Sequence, residues 1–148
     1  MLFRSVGEVV RLEDFSPEQV SGLNRLHADP LDGGQVSRLC EILGGHPYLI
    51  RRALYEIARS PKEITPDLLL AWALEDQGPF RDHLRHHWLN LERQPRLIEP
   101  LREIALGRPC DDENAFYRLE SAGLVRRLHG HVVPRCLLYG EYFRTRLR

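Results

Sequence analysis

Apolar residues in this chain recur every three to four positions far more often than every second one, so helices dominate the expectation. The clearest stripe is Leu49, Ile50, Ala53, Leu54, Ile57 and Ala58, with Arg51, Arg52, Glu56 and Arg59 on the opposite face. Just before it stand Gly44 and Gly45, which can end a preceding helix in the left-handed backbone region, and Pro47, which suits a first helical turn because its missing N–H is not needed there. The stretch GGHPYLIRRALYEIA therefore predicts a sharp elbow between two helices. The N–H groups and positive dipole end of the second helix lie beside a flexible Gly-Gly, and such an end can hold an anion or simply be capped.

Further helices are predicted by caps and breakers. Ser16 to Gln19 form an S-x-x-Q capping signature with Pro17 at the first helical position, predicting a helix over about 17–28. DPLDGG is a turn, and Val36, Leu39, Cys40 and Leu43 mark the helix that ends at the elbow. Thr65-Pro66 starts another helix running to about Glu75, and DQGPF breaks it. Beyond that break, helices are expected at about 79–94, 96–106 and 112–122, the last with Phe116, Tyr117 and Leu119 on its apolar side. Leu124–Leu128 and His131–Val133, around His129-Gly130, read as a hairpin, and CLLYGEYFRTRLR as a closing helix. Three helices followed by a two-stranded wing is the winged-helix order.

The predicted fold is thus mainly α. It comprises a short helical bundle over 16–78, a winged-helix domain with a small hairpin over 79–148, and one orphan N-terminal strand over Val6–Leu12. One strand cannot make a sheet, so its partners belong either to another chain or to a missing N-terminal region; the latter is favoured, and residues 1–15 read as the end of a truncated preceding domain. Leu2–Ser5 also matches what a common sequencing-adapter DNA encodes in one frame, which makes residues 1–5 candidates for an assembly artefact.

Composition narrows the chemistry. The chain has 148 residues, 43% of them hydrophobic, with 21 basic and 21 acidic side chains. The charge is uneven: 8 basic and 12 acidic over 1–78, 7 and 8 over 79–123, 6 and 1 over 124–148. A basic tail on a neutral protein is too modest to argue nucleic-acid binding. Cys40, Cys110 and Cys136 are odd in number and widely spaced, so reduced structural thiols are expected rather than disulfides or a zinc site. No apolar run is long enough to cross a bilayer and no signal-peptide pattern opens the chain, so a cytoplasmic protein away from membranes is expected. Lys62 is the sole lysine, which removes enzyme classes that need one at a set position.

The pieces GGHPYLIRRAL, AFYRLESAGLVRR and VVPRCLLYGEYF, in that order after a lone strand and a capped helix, resemble the C-terminal portion of the AAA-like domain of bacterial STAND-type signalling ATPases. The resemblance covers about Val6 to Leu147, and implies that residues 1–15 are the end of a truncated nucleotide-binding core. It implies a helical lid in which Gly45, His46 and Pro47 contact the base or sugar of a bound nucleotide, proline offering a rigid apolar face. It also implies that Arg51 or Arg52 could reach a phosphate, Arg51 being the chosen candidate, while solvation or pairing of Arg52 with Glu56 four residues on is the plainer role for at least one of them. Many members of that class carry Met-His-Asp where the wing meets the next helix, the histidine sensing the β-phosphate. This chain has Val133, Pro134 and Arg135 there, so Arg135 is the candidate positive group and phosphate sensing is weakened.

Other constellations are plainer. His83 and His87 are four residues apart, but HLRHH lacks the glutamate of HExxH, so a solvated helix face is expected and no metal. Trp72 and Trp88 read as core. No G-x-x-x-x-G-K-[ST] occurs, and Lys62 sits in SPKEI without glycines, so the chain is not expected to hydrolyse ATP. The expected role is that of a non-catalytic regulatory fragment. It would meet ATP or ADP only together with an N-terminal P-loop core, and relay nucleotide state to a C-terminal sensor or effector region. The alternative is a winged-helix DNA-binding or protein-interaction adaptor domain. DNA is disfavoured because the third helix offers Asp111, Asp112, Glu113 and Glu120 against Arg118 alone. An uncovered strand edge and an exposed apolar helix face further predict self-association or poor solubility.

Overall fold

The computed structural model describes the backbone at 2–5, 8–11 and 13–147, with side chains from Glu13 onward. Two compact units divide the chain, Met1–Leu69 and Leu70–Arg148. The first opens with an antiparallel pair, β1 (Leu2–Ser5) and β2 (Glu8–Arg11), in register Leu2 with Arg11 and Ser5 with Glu8. This corrects the orphan strand: the expected strand is found over Glu8–Arg11, its partner is the segment just before it, and Val6, Gly7 and Leu12 lie outside the described residues. The expectation of self-association rested only in part on that missing partner.

Helices α1 (Pro17–Leu26), α2 (Gly33–Leu43) and α3 (Pro47–Arg59) pack on one another in the same unit. Both first caps are reciprocal: Ser16 Oγ accepts from the Gln19 amide while Gln19 Oε1 accepts from the Ser16 amide, and Asp32 and Gln35 repeat the exchange. The turn between α1 and α2 is held by buried Asn24, whose side chain donates to the Leu31 carbonyl at 2.8 Å and accepts from the Leu31 amide at 3.2 Å. The core is Val20, Leu39, Leu43, Leu49, Ile50 and Leu54, all fully buried. At roughly 1.5–3 kcal/mol for each large apolar side chain, this packing, rather than helix propensity, holds helices of 10–13 residues. Two stripe assignments reverse: Ala58 is exposed and Glu56 is buried.

Helix α4 (Pro66–Ala73) runs across the division between units and stops two residues short of the expected end. The second unit holds α5 (Arg81–Glu92), a 3-10 turn (Pro95–Leu97) running into α6 (Ile98–Ala105), and α7 (Glu113–Ser121). It ends with the hairpin β3 (Val125–Leu128) and β4 (His131–Pro134) and the last helix α8 (Leu137–Arg146). His129 and Gly130 turn the hairpin with φ of 50° and 80°, and Val125 faces Pro134 in the register. Helix α6 packs on α7, α8 and β4 around Leu101, Ile104, Phe116, Leu119 and Phe143. Tyr117 is 58% exposed and so leaves the expected apolar side of α7. No described helix is long and apolar enough to cross a membrane.

Candidate functional site

The elbow is built by backbone chemistry. Gly44 closes α2 at φ 63°, its amide donating to the Cys40 carbonyl at 2.8 Å, and Gly45 comes next at φ 71°. The Phe15 amide donates to the Gly45 carbonyl at 2.8 Å, and a Cβ on Gly45 would stand 2.5 Å from the Phe15 carbonyl oxygen. Only glycine fits there, on grounds of both conformation and space. His46 is the N-cap of α3, its Nδ1 accepting from the Leu49 amide at 3.5 Å. His46 and Pro47 are half-buried, while Arg51 is exposed with its guanidinium 5.6 Å from the centre of the Phe15 ring. Gly45, His46, Pro47 and Arg51 are thus gathered around the segment that leads into α1, and Gly45 owes its identity to Phe15.

Further along α3, Glu56 is 3% exposed, an unusual position for a carboxylate. Arg59 Nε donates to Glu56 Oε2 at 3.1 Å, and Arg52 Nη2 lies 2.9 Å from Oε1. The Arg52 contact is an ion pair by distance but not an aligned hydrogen bond, because Glu56 Oε1 and Arg52 Nε lack hydrogen-bond partners. The expected Arg52–Glu56 pairing is therefore present. Both arginines also flank the exposed Tyr55 ring, at 5.7 and 5.3 Å.

In the second unit, His86 of α5 is exposed as expected, but His83 and His87 are half-buried and do not form a solvated face. Tyr139, fully buried on α8, places its hydroxyl 2.6 Å from His83 Nε2 and 3.2 Å from His87 Nε2. One phenol can donate to one neutral imidazole and accept from the other, so the trio is satisfied without charge. Burial, with lesser contributions from His86 and Arg135, pushes the His87 imidazole down to about 4. Among the described residues no group of three or more His, Cys, Asp or Glu could hold a metal ion. Trp88 is half-buried and exposes its ring to the Arg146 guanidinium at 4.9 Å, so it is not a core residue. Arg135 is half-buried where β4 meets α8, its amide donating to the Leu124 carbonyl at 3.0 Å and its guanidinium beside Gly123. Burial pushes the Cys40 thiol up, which keeps it protonated and unreactive.

A family model described as an AAA-like domain matches residues 3–145. The chain belongs to the AAA-like domain family. Comparison with curated proteins and with solved structures found no match. Family membership makes this a nucleotide-related, ATPase-associated domain. Within this AAA-like domain the elbow residues sit together in the first unit and Arg135 sits in the second. The Phe15 ledge, buried Glu56 and the Tyr139 trio were missed from sequence. The i, i+4 spacing of His83 and His87 signalled the trio, but the partner lies 52 residues further on, at Tyr139.

Proposed function

We propose that this AAA-like domain is the lid and winged-helix portion of a STAND-type ATPase. It closes over ATP or ADP bound by a P-loop core that this sequence does not contain, and passes the nucleotide state to a sensor or effector region. Residues 16–78 are the lid and 79–148 the winged helix. The observation that carries the reading is the element order along the family match over 3–145: capped helix, glycine elbow and helix, then three helices, hairpin and helix. The fit to a nucleotide is partial. Pro47 and His46 retain exposed surface for a base or sugar, whereas Gly45 is buried and shapes the elbow against Phe15, whose amide already donates to the Gly45 carbonyl. Arg51 must leave the Phe15 ring to reach a phosphate, forgoing roughly 0.5–1 kcal/mol of cation–π attraction. Arg135 supplies positive charge beside the last helix. The chain itself carries no catalytic step, and on this reading it works in the cytoplasm.

The DNA-binding alternative gains nothing from α7. Glu113 holds Arg127 at 3.3 Å, and that guanidinium also lies 4.2 Å from the Phe116 ring centre, so one hairpin cation is already engaged. The test is nucleotide binding by the polypeptide that joins these residues to a P-loop core. Pro47→Ala should weaken ADP binding by about three- to tenfold, on the order of 1 kcal/mol. Unchanged affinity would return the elbow to a purely structural role.

A further inference from the structure

Arg93 is the C-cap of α5, Pro95 starts the 3-10 turn that carries Arg96, and Asn114 and Arg118, four residues apart, lie on one face of α7. These segments enclose a recess of about 330 Å3 rimmed by Arg93, Gln94, Arg96, Asp112, Asn114 and Arg118, with buried Leu97 and Ala115 also lining it. Among the described residues, none of the three arginines has a carboxylate partner, although Arg102 and Arg108 in the same unit hold Glu99 and Glu103 at 3.0 and 2.9 Å. The charges at Arg93 and Arg118 complement the carboxyl ends of α5 and α7, a weak effect at exposed helix ends that leaves their guanidiniums without a carboxylate. Asp112 accepts from the Ala115 amide at 3.1 Å, which commits one of its oxygens to capping α7.

We propose that this recess binds a phosphate monoester dianion, gripped by the Arg93, Arg96 and Arg118 guanidiniums, with the Gln94 and Asn114 amides as further donors. Three cations against one carboxylate match the charge of a monoester near neutral pH, and planar guanidinium forks suit its oxygens. The volume is at the small end of ligand sites, enough for a phosphoryl group on a short carrier. An extended polyphosphate backbone is disfavoured, because exposed Asp111, Asp112 and Glu113 border the same helix start. The recess uses none of the elbow residues and not Arg135, so it stands or falls independently of the nucleotide reading.

The test is calorimetric titration of the 148-residue chain in low salt with glycerol 3-phosphate, a phosphoserine hexapeptide and a short DNA duplex. Saturable binding of either monoester is expected, and whichever binds more tightly identifies a metabolite or a phosphorylated segment as the source. Arg96→Ala and Arg118→Ala should each weaken it at least tenfold, Arg118→Lys should weaken it less, and Arg85→Ala should leave it unchanged. Affinity should fall below about pH 6 as the monoester takes up a proton. The arginines are exposed, so unfolding temperatures of the variants should match the parent. Absence of saturation by both monoesters at millimolar concentration overturns the proposal. So does tighter binding of the duplex than of either monoester, or equal affinity in the arginine variants.

Discussion

The arginines of α3 and those around the α5–α6 corner have the same chemistry and opposite fates. On α3, Arg52 and Arg59 close on the buried Glu56 carboxylate and Arg51 rests on Phe15. Around the corner recess, Arg93, Arg96 and Arg118 have no carboxylate partner among the described residues. The α3 arginines are the ones a reading of the sequence singles out, since they come after a glycine-proline elbow. Fold stability uses them first, and a ligand must compete with contacts already made. Guanidiniums that line a recess without a carboxylate have no ion pair to give up.

That contrast can be tested at several strengths. The largest effect is expected at the elbow itself. Gly45→Ala would force a Cβ against the Phe15 carbonyl at a left-handed φ, and should lower the stability of the first unit by about 2–4 kcal/mol in urea unfolding. A loss below about 1 kcal/mol would mean that the Phe15 clamp yields easily, and that the elbow glycine serves a ligand instead.

The second unit should show a comparable change with acid. His87 is held neutral down to about pH 4, below its ordinary value of 6.5. Between these values the unfolded chain takes up a proton that the folded chain refuses. Stability is therefore full above about pH 6.5 and falls as pH drops towards 4, by about 3 kcal/mol in all. His87→Gln should flatten the part of the profile that lies above the carboxylate range. A profile unchanged by that substitution would mean that the Tyr139 trio accepts charge.

Smaller effects separate the two arginine groups directly. Glu56→Gln should cost about 1–2 kcal/mol, less than a fully buried pair, because Arg52 and Arg59 can turn to water. Arg96→Ala should change stability by no more than about 0.5 kcal/mol, as for an ordinary surface position. Equal costs at both sites would erase the distinction between engaged and unengaged arginines.

Much of the fold is legible in the sequence because local chemistry decides it. Ser16 with Gln19, the Gly44–Pro47 stop and start, and His129-Gly130 each mark a boundary within a few residues of where it falls. The features that escape are decided by residues distant in sequence. Nothing local says that Glu56 is buried, that Phe15 supplies the carbonyl that makes Gly45 obligatory, or that Tyr139 waits for His83 and His87. Tyr117 and Trp88 fail for a related reason: helical spacing says which residues share a face, but not how far the neighbouring elements reach over it. The corner recess is the least legible feature, because its arginines come from the end of one helix, a 3-10 turn and a third helix, and no motif links them.

The most direct test of the proposed role is to read the genomic DNA on both sides of this frame. The regulatory reading predicts an upstream in-frame G-x-x-x-x-G-K-[ST] and a strand ending in an acidic residue, the two parts a nucleotide-binding core needs to hold phosphate and metal. A stop codon directly before Met1, with no such core at the locus, would contradict it and leave GGHPYLIRRALYEIA as a structural elbow alone.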